Sequence, residues 1–165
     1  LMININEVDL IVFDFEAVLT NNYVDVDQVG NEIVRCSRAV GLAFDVLRML
    51  EKEILIFSSE KNTVVSRRAK KLQLNVIQGV HNKLNSLKNY IQKNKIDKNR
   101  VMYVGNDLND YFCMQLCGVS VAPLEAHQSI LAISDFTLSK KGGDGVVRDL
   151  VENIFKINPL DILFK

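Results

Sequence analysis

The sequence predicts an α/β fold: a parallel β-sheet with helices on both faces and a small β-hairpin beside it. Three observations predict it. Short runs rich in β-branched and aromatic residues alternate with amphipathic stretches of ten or so residues, the pattern of βαβ units. Two strand-like runs, 23–26 and 32–36, are separated only by Asp27-Gln28-Val29-Gly30-Asn31, which reads as a hairpin turn. The 165 residues, 48% of them hydrophobic, suffice for one domain over residues 1–165 with a sizeable core.

The elements follow in order. Residues 9–15 are an apolar run with Ile11, Val12 and Phe13, read as a buried strand. After the hairpin, residues 42–53 place Leu42, Val46, Leu47 and Leu50 at helical spacing. Residues 54–57 form the next strand and end at Ser58 and Ser59. A helix capped near Asn62 or Thr63 runs to Leu72. Residues 76–78 make a short strand, and the helix Lys83–Lys93 carries Leu84, Leu87 and Ile91 on one side. Val101–Val104 is a strand closed by Gly105. A helix over 107–117 follows, with Gly118 at its C-terminal cap. Val119–Ala122 is a strand that Pro123 ends. Residues 126–133 and 146–155 are helical, with a short strand at 136–138 between them. Beyond Asn158-Pro159 come Leu160, Ile162, Leu163 and Phe164. A free apolar tail is unfavourable, so it is expected to dock on its own domain or on a neighbouring subunit.

Twenty basic residues balance twenty acidic ones, so the formal net charge is zero and no nucleic-acid partner is expected. No apolar run reaches 18 residues, and the first residues lack the pattern of a signal peptide, so no membrane span or export is expected. Cys36, Cys113 and Cys117 form no metal-binding spacing, and their odd number argues against a disulfide framework. Cys113 and Cys117 share a helical face and read as small core residues. The expected compartment is the cytoplasm. Leu1 ahead of Met2 fits an expression scar or excision from a longer polypeptide.

Ligands of an open parallel sheet gather beyond the carboxyl ends of its strands. The first strand delivers Asp14 and then Glu16. The second delivers Ser58 and Ser59. The helix after the third begins with Lys83. The fourth delivers Asn106, Asp107 and, one helical turn on, Asp110. Singly, each is an ordinary cap or turn residue. Together they suit phosphoryl transfer, which needs a nucleophile, a proton donor for the leaving oxygen and positive charge against the phosphoryl oxygens. Asp14 can attack phosphorus. Glu16 can protonate the leaving group and then activate water. A hard divalent cation, Mg²⁺ by preference, would relieve the clustered carboxylates. Ser58 offers a hydrogen bond and Lys83 a fixed charge.

Four stretches carry a family resemblance. They are Asp14-Phe15-Glu16-Ala17-Val18-Leu19-Thr20, against DxDGVxT; Ser58 after its strand; Lys83; and Gly105-Asn106-Asp107-Leu108-Asn109-Asp110, against G[DN]DxxD. They resemble the haloacid dehalogenase (HAD) superfamily of phosphatases. Within it they are similar to the small capless group that includes 3-deoxy-D-manno-octulosonate 8-phosphate phosphatase. They are also similar to the phosphatase-like domains of CMP-sialic acid (acylneuraminate) synthetases. Residues 36–42, with Arg38, and Gly142-Gly143-Asp144-Gly145 with Arg148 resemble segments of that last branch.

The resemblance implies a Rossmann-like HAD fold with a hairpin flap and no large cap domain. It implies Asp14 as nucleophile and metal ligand, and Glu16 as acid/base and, through its carbonyl, metal ligand. Ser58, Ser59 and Lys83 would hold phosphate, Asn106 and Asp107 would complete the Mg²⁺ shell, and Asp110 and Arg38 would support. The implied substrate is a sugar-acid phosphate of the nonulosonate 9-phosphate or 3-deoxy-octulosonate 8-phosphate type. The implied assembly is a homo-tetramer in which the hairpin and a neighbour's C-terminal segment cover the site.

The sequence departs from the pattern at Glu16, where Asp is usual, and its added methylene moves the carboxyl by about 1.5 Å. Ala17 stands for a glycine, and if that position has positive φ the alanine adds about 1 kcal/mol of strain. Val40 and Asn106 each replace an aspartate. Two function classes therefore stand: the phosphatase, and a catalytically weak or inactive module that promotes oligomerisation of a cytidylyltransferase partner. A receiver-like signalling domain would need an acidic pair near the first strand, a phosphoacceptor after the third and a late lysine. Asp14 and the mid-chain Lys83 do not fit it.

Overall fold

The computed structural model describes residues 2–165; Leu1, and with it the reading of the Leu1–Met2 junction, lies outside the described residues. In chain order the elements are β1 (Leu10–Phe13), β2 (Thr20–Val26), β3 (Glu32–Cys36), α1 (Val40–Met49), β4 (Glu53–Phe57), α2 (Val64–Leu72), β5 (Asn75–Ile77) and α3 (Lys83–Lys93). They continue with β6 (Val101–Val104), α4 (Tyr111–Leu116), β7 (Val119–Ala122), α5 (Gln128–Ile133), β8 (Phe136–Thr137), α6 (Val146–Asp149) and α7 (Pro159–Leu163). Six strands form one sheet in the order β5-β4-β1-β6-β7-β8, with every pairing parallel. The hairpin β2–β3 is a separate antiparallel pair.

β1 is central because all four of its residues are buried, as a strand covered on both faces requires. Alternation splits it. Ile11 and Phe13 face a core built from α1, α2 and α6, where Phe13 meets Phe44 edge-on at 5.4 Å between ring centroids. Leu10 and Val12 face the other core, built from α3, α4 and α5. Phe13 is in register with Ile56 of β4 and Val104 of β6, so the three strands end at one level. The chain winds outward from β1 through β4 to β5, then crosses back to β6. The reversal beside β1 is where such sheets open a crevice.

Several expectations need correction. The helix expected over 42–53 spans Val40–Met49. Glu51 takes a left-handed φ of +58°, the Lys52 N–H turns back to the Leu47 carbonyl, and Glu53 already belongs to β4. The helix expected over 107–117 begins as a 3-10 turn at Leu108–Asp110 before α4 takes over. Gly118 is no left-handed cap. Its N–H bonds the Lys98 carbonyl, and a Cβ there would sit 1.9 Å from the Asn99 carbonyl oxygen, so close backbone approach demands the glycine. The last long helix continues past α6 as a π-turn, Leu150–Ile154.

The apolar tail docks in part on its own core. Ile162 and Leu163 of α7 pack against it, while Leu160 and Phe164 stay exposed. The hairpin also exposes apolar side chains, Tyr23, Val26, Val29 and Ile33 among them. The three cysteines are free, with Cys113 buried and Cys36 and Cys117 partly so. Among the described residues no helix is long and apolar enough to cross a membrane.

Candidate active site

The site forms where β1, β4 and β6 end together. Asp14 follows β1, and its N–H still pairs with the Val104 carbonyl, so the backbone presents the side chain at the sheet edge. Its Oδ1 accepts from the Phe15 N–H at 2.8 Å and from Lys83 Nζ at 2.8 Å. Lys83 opens α3, where the Asn82 side chain caps the helix by accepting from the Asn85 N–H. Lys83 Nζ also donates to Asp110 Oδ1 at 2.8 Å. Asp110 is fully buried. It accepts from the Tyr103 hydroxyl at 2.7 Å, and its other oxygen accepts from the Asn106 N–H at 3.0 Å. One ammonium thus bridges two buried carboxylates.

Burial, and next the charge of Asp110, push Asp14 well above the ordinary carboxylate range, against the pull of Lys83. Burial alone would lower Lys83, but Asp14 and Asp110 outweigh it and hold the ammonium above the ordinary lysine value. Lys83 therefore stays charged, and the pocket remains short of positive charge.

The Asn106 amide lies 2.9 Å from the Glu16 carbonyl oxygen and 3.1 Å from Asp14 Oδ2. Turned nitrogen-inward, it donates to both. Turned oxygen-inward, it sets its oxygen against one from each of them, an arrangement that a cation reconciles. Adjacent oxygens around an octahedral ion with bonds of about 2.1 Å lie about 3.0 Å apart, so the spacing suits Mg²⁺. The donors are also the hard oxygens that ion prefers. Asp107 is exposed at the rim, where its carboxylate accepts from the Leu108 N–H at 2.7 Å.

Glu16 is partly buried, and burial pushes its carboxyl up. Its oxygens accept from Ser58 Oγ at 2.9 and 3.2 Å, while Ser58 Oγ accepts from the Glu60 N–H at 3.0 Å. Ser59 is exposed and takes a longer bond from Asn109 Nδ2, 3.3 Å. Asp14, Glu16, Ser59, Asn106 and Asp107 line one cavity of about 230 Å³ with Asn22, Glu60 and Asn109. A neighbouring cavity of about 220 Å³ runs beneath the hairpin. It shares Glu16, Asn22 and Glu60, and adds Tyr23, Val24, Glu32 and Val34. Arg38 is exposed between β3 and α1 and lines neither cavity.

The loop after β1 is itself strained and clamped. Ala17 takes φ +56°, its N–H donating to Thr20 Oγ1 at 3.0 Å. The Gly143 N–H bonds the Val18 carbonyl, and Gly142 lies so close that a Cβ would meet the Ala17 oxygen at 1.9 Å.

Sequence reasoning missed Tyr103, Glu60, Asn22 and Asn109. Tyr103 alone left a signal: a hydroxyl inside the buried strand Val101–Val104 needs a partner.

A family model described as haloacid dehalogenase-like hydrolase matches residues 24–150. The 3-deoxy-D-manno-octulosonate 8-phosphate phosphatase of Escherichia coli is 27% identical over 152 residues, which are 92% of this chain and 81% of that one. A HAD family hydrolase of Streptomyces avermitilis superposes with a TM-score of 0.89 at 35% identity, over 92% of this chain and 87% of its own. The 3-deoxy-D-manno-octulosonate 8-phosphate phosphatase of Moraxella catarrhalis was solved with magnesium, phosphate and a KDO molecule. It superposes with a TM-score of 0.87 at 27% identity, over 92% of this chain and 88% of its own.

Proposed function

The chain belongs to the haloacid dehalogenase-like hydrolases, and from there we propose a magnesium-dependent phosphomonoesterase that works through an aspartyl-phosphate on Asp14. Its substrate is a sugar-acid phosphate of the 3-deoxy-octulosonate 8-phosphate or nonulosonate 9-phosphate type. The observation that carries this reading is the buried Asp14 carboxylate, held by Lys83 on one oxygen and facing with the other the Asn106 amide, which also meets the Glu16 carbonyl.

Asp14, the Glu16 carbonyl and Asn106, with Asp107 at the rim, would hold the ion. When bound, it supplies positive charge against the phosphoryl oxygens. Asp14 attacks phosphorus, the ester P–O bond breaks, and Glu16 gives its proton to the leaving oxygen. Glu16 then takes a proton from the water that cleaves the acyl-phosphate, and Asp14 is restored. Lys83 has three N–H donors and uses two on carboxylates, so one is left for a phosphoryl oxygen. Ser58 contributes its hydroxyl and Ser59 stands at the rim. The cavity beneath the hairpin takes the leaving group.

The relatives reported above are named as phosphatases or hydrolases, and a purely oligomerising module finds no support among them. The exposed apolar side chains of the hairpin and of Leu160 and Phe164 fit a homo-tetramer of a cytoplasmic protein. The test is turnover of p-nitrophenyl phosphate and a panel of sugar-acid phosphates. The expected activity is lost with EDTA, restored by Mg²⁺ and abolished by Asp14→Asn. An Asp14→Asn variant as active as wild type would refute the mechanism. An inactive wild type would refute the enzyme.

A further inference from the structure

We propose that Glu16 is a built-in competitor for phosphate: in the ligand-free protein its carboxylate occupies, on Ser58, the place of a phosphoryl oxygen. The inference rests on the phosphatase reading above and adds an affinity-setting role for this glutamate.

Ser58 is fully buried at the end of β4. Its hydroxyl has one proton to donate. That proton goes to the Glu16 carboxylate, at 2.9 Å from the nearer oxygen, and the Glu60 N–H fills an acceptor site at 3.0 Å. A phosphoryl oxygen can be gripped by Ser58 only after Glu16 lets go. The carboxylate also carries the same sign of charge as phosphate and lines the same cavity as Asp14. Phosphate binding therefore includes the loss of a charge-assisted hydrogen bond and the displacement of a like charge. Displaced beside the phosphate, Glu16 takes up a proton from solvent and can then swing toward the leaving group to deliver it. Departure of product phosphate lets it return, so the resting enzyme releases inorganic phosphate readily. An aspartate, one methylene shorter, would lie farther from the Ser58 hydroxyl.

The test is calorimetric titration of inorganic phosphate, with Mg²⁺ present, into the full chain. Removing the competitor with Glu16→Ala is expected to tighten binding about tenfold or more, the factor equivalent to about 1.4 kcal/mol. Ser58→Ala alone should change affinity less than about threefold, because its proton is already committed. In the Glu16→Ala background, Ser58→Ala should remove most of the gain. Glu16→Gln keeps the size and the Ser58 contact without the charge, and should bind phosphate between wild type and Glu16→Ala. It also serves if the alanine variant does not fold. Unchanged or weaker binding in folded Glu16 variants overturns the proposal, as does a gain left undiminished without Ser58. Expected binding without turnover would leave the proposal standing and sink the phosphatase. Turnover without any gain would do the reverse. Phosphate binding by no variant would sink both.

Discussion

Replacing Lys83 by methionine tests how the site is held together. The substitution keeps the length of the stem and removes the ammonium that sits 2.8 Å from both Asp14 and Asp110. The three side chains are 2%, 4% and 0% exposed, so water cannot take the cation's place. Breaking a buried pair from one side costs about 3–5 kcal/mol, because it strands a charge. Holding one carboxyl protonated at neutral pH, against an ordinary value near 3.9, costs about 4 kcal/mol. That is a large share of the roughly 5–15 kcal/mol that stabilises a domain, so the variant should fold with a urea midpoint lower by about 1–3 M. The measurement is urea unfolding followed by circular dichroism, in EDTA so that no cation fills the gap. Lys83→Met combined with Asp110→Asn removes one of the two stranded charges and should recover at least about 1 kcal/mol. A deficit below about 1 kcal/mol, or a double variant no better than the single, would refute the account of Lys83 as the charge that reconciles two buried carboxylates.

Three further outcomes follow from the same geometry. Ala17→Gly relieves a left-handed backbone and should raise stability by up to about 1 kcal/mol in urea unfolding; a loss would show that φ +56° is not strained there. Gly142→Ala drives a Cβ into the Ala17 carbonyl oxygen and should cost about 1–3 kcal/mol or more while lowering turnover; wild-type kinetics would show that the loop yields freely. Burial pushes Cys113 and Cys117 up to about 12 from an ordinary 9.0, so the unfolded chain gives up these protons first and stability falls as pH rises from about 9 toward 12. In reductant, the urea midpoint should drop between about pH 8 and about pH 10, and Cys113→Ala/Cys117→Ala should flatten the drop; parallel slopes would exclude the thiols.

Legibility differed between backbone and side chains. β6, β7, α3 and the second hairpin strand were readable to the residue, because apolar runs and caps are local signals. Boundaries failed where local and tertiary demands conflicted. Leu50 continues the helical spacing of α1, yet the left-handed turn at Glu51 must release the chain into β4. At Gly118, the approach of the Asn99 carbonyl cannot be read from spacing. The site residues could be gathered because strand ends mark one edge of a parallel sheet. Their partners could not. Lys83 meets Asp110 across 27 residues, and Ser58 meets Glu16 across 42. Such contacts depend on rotamer and side-chain length, to which pattern is blind.

Glu16 shows why that difference matters. Its carbonyl faces the Asn106 amide, while its carboxylate turns to Ser58. The residue divides between the candidate ion site and the phosphate site, and only the second depends on side-chain length. Exchanging aspartate for glutamate leaves the carbonyl in place and carries the carboxyl about 1.5 Å farther, far enough to reach the buried hydroxyl. Under the proposed competition for Ser58, the substitution would act on how phosphate enters and leaves and on proton transfer, not on the oxygens that face Asn106. Asn106 brings no charge of its own, so the attraction for a cation would fall on Asp14, whose other oxygen is already held by Lys83, and on exposed Asp107 at the rim. Under the proposed function, a weakly held ion beside a self-occupied phosphate site would make activity depend on both Mg²⁺ and substrate being abundant.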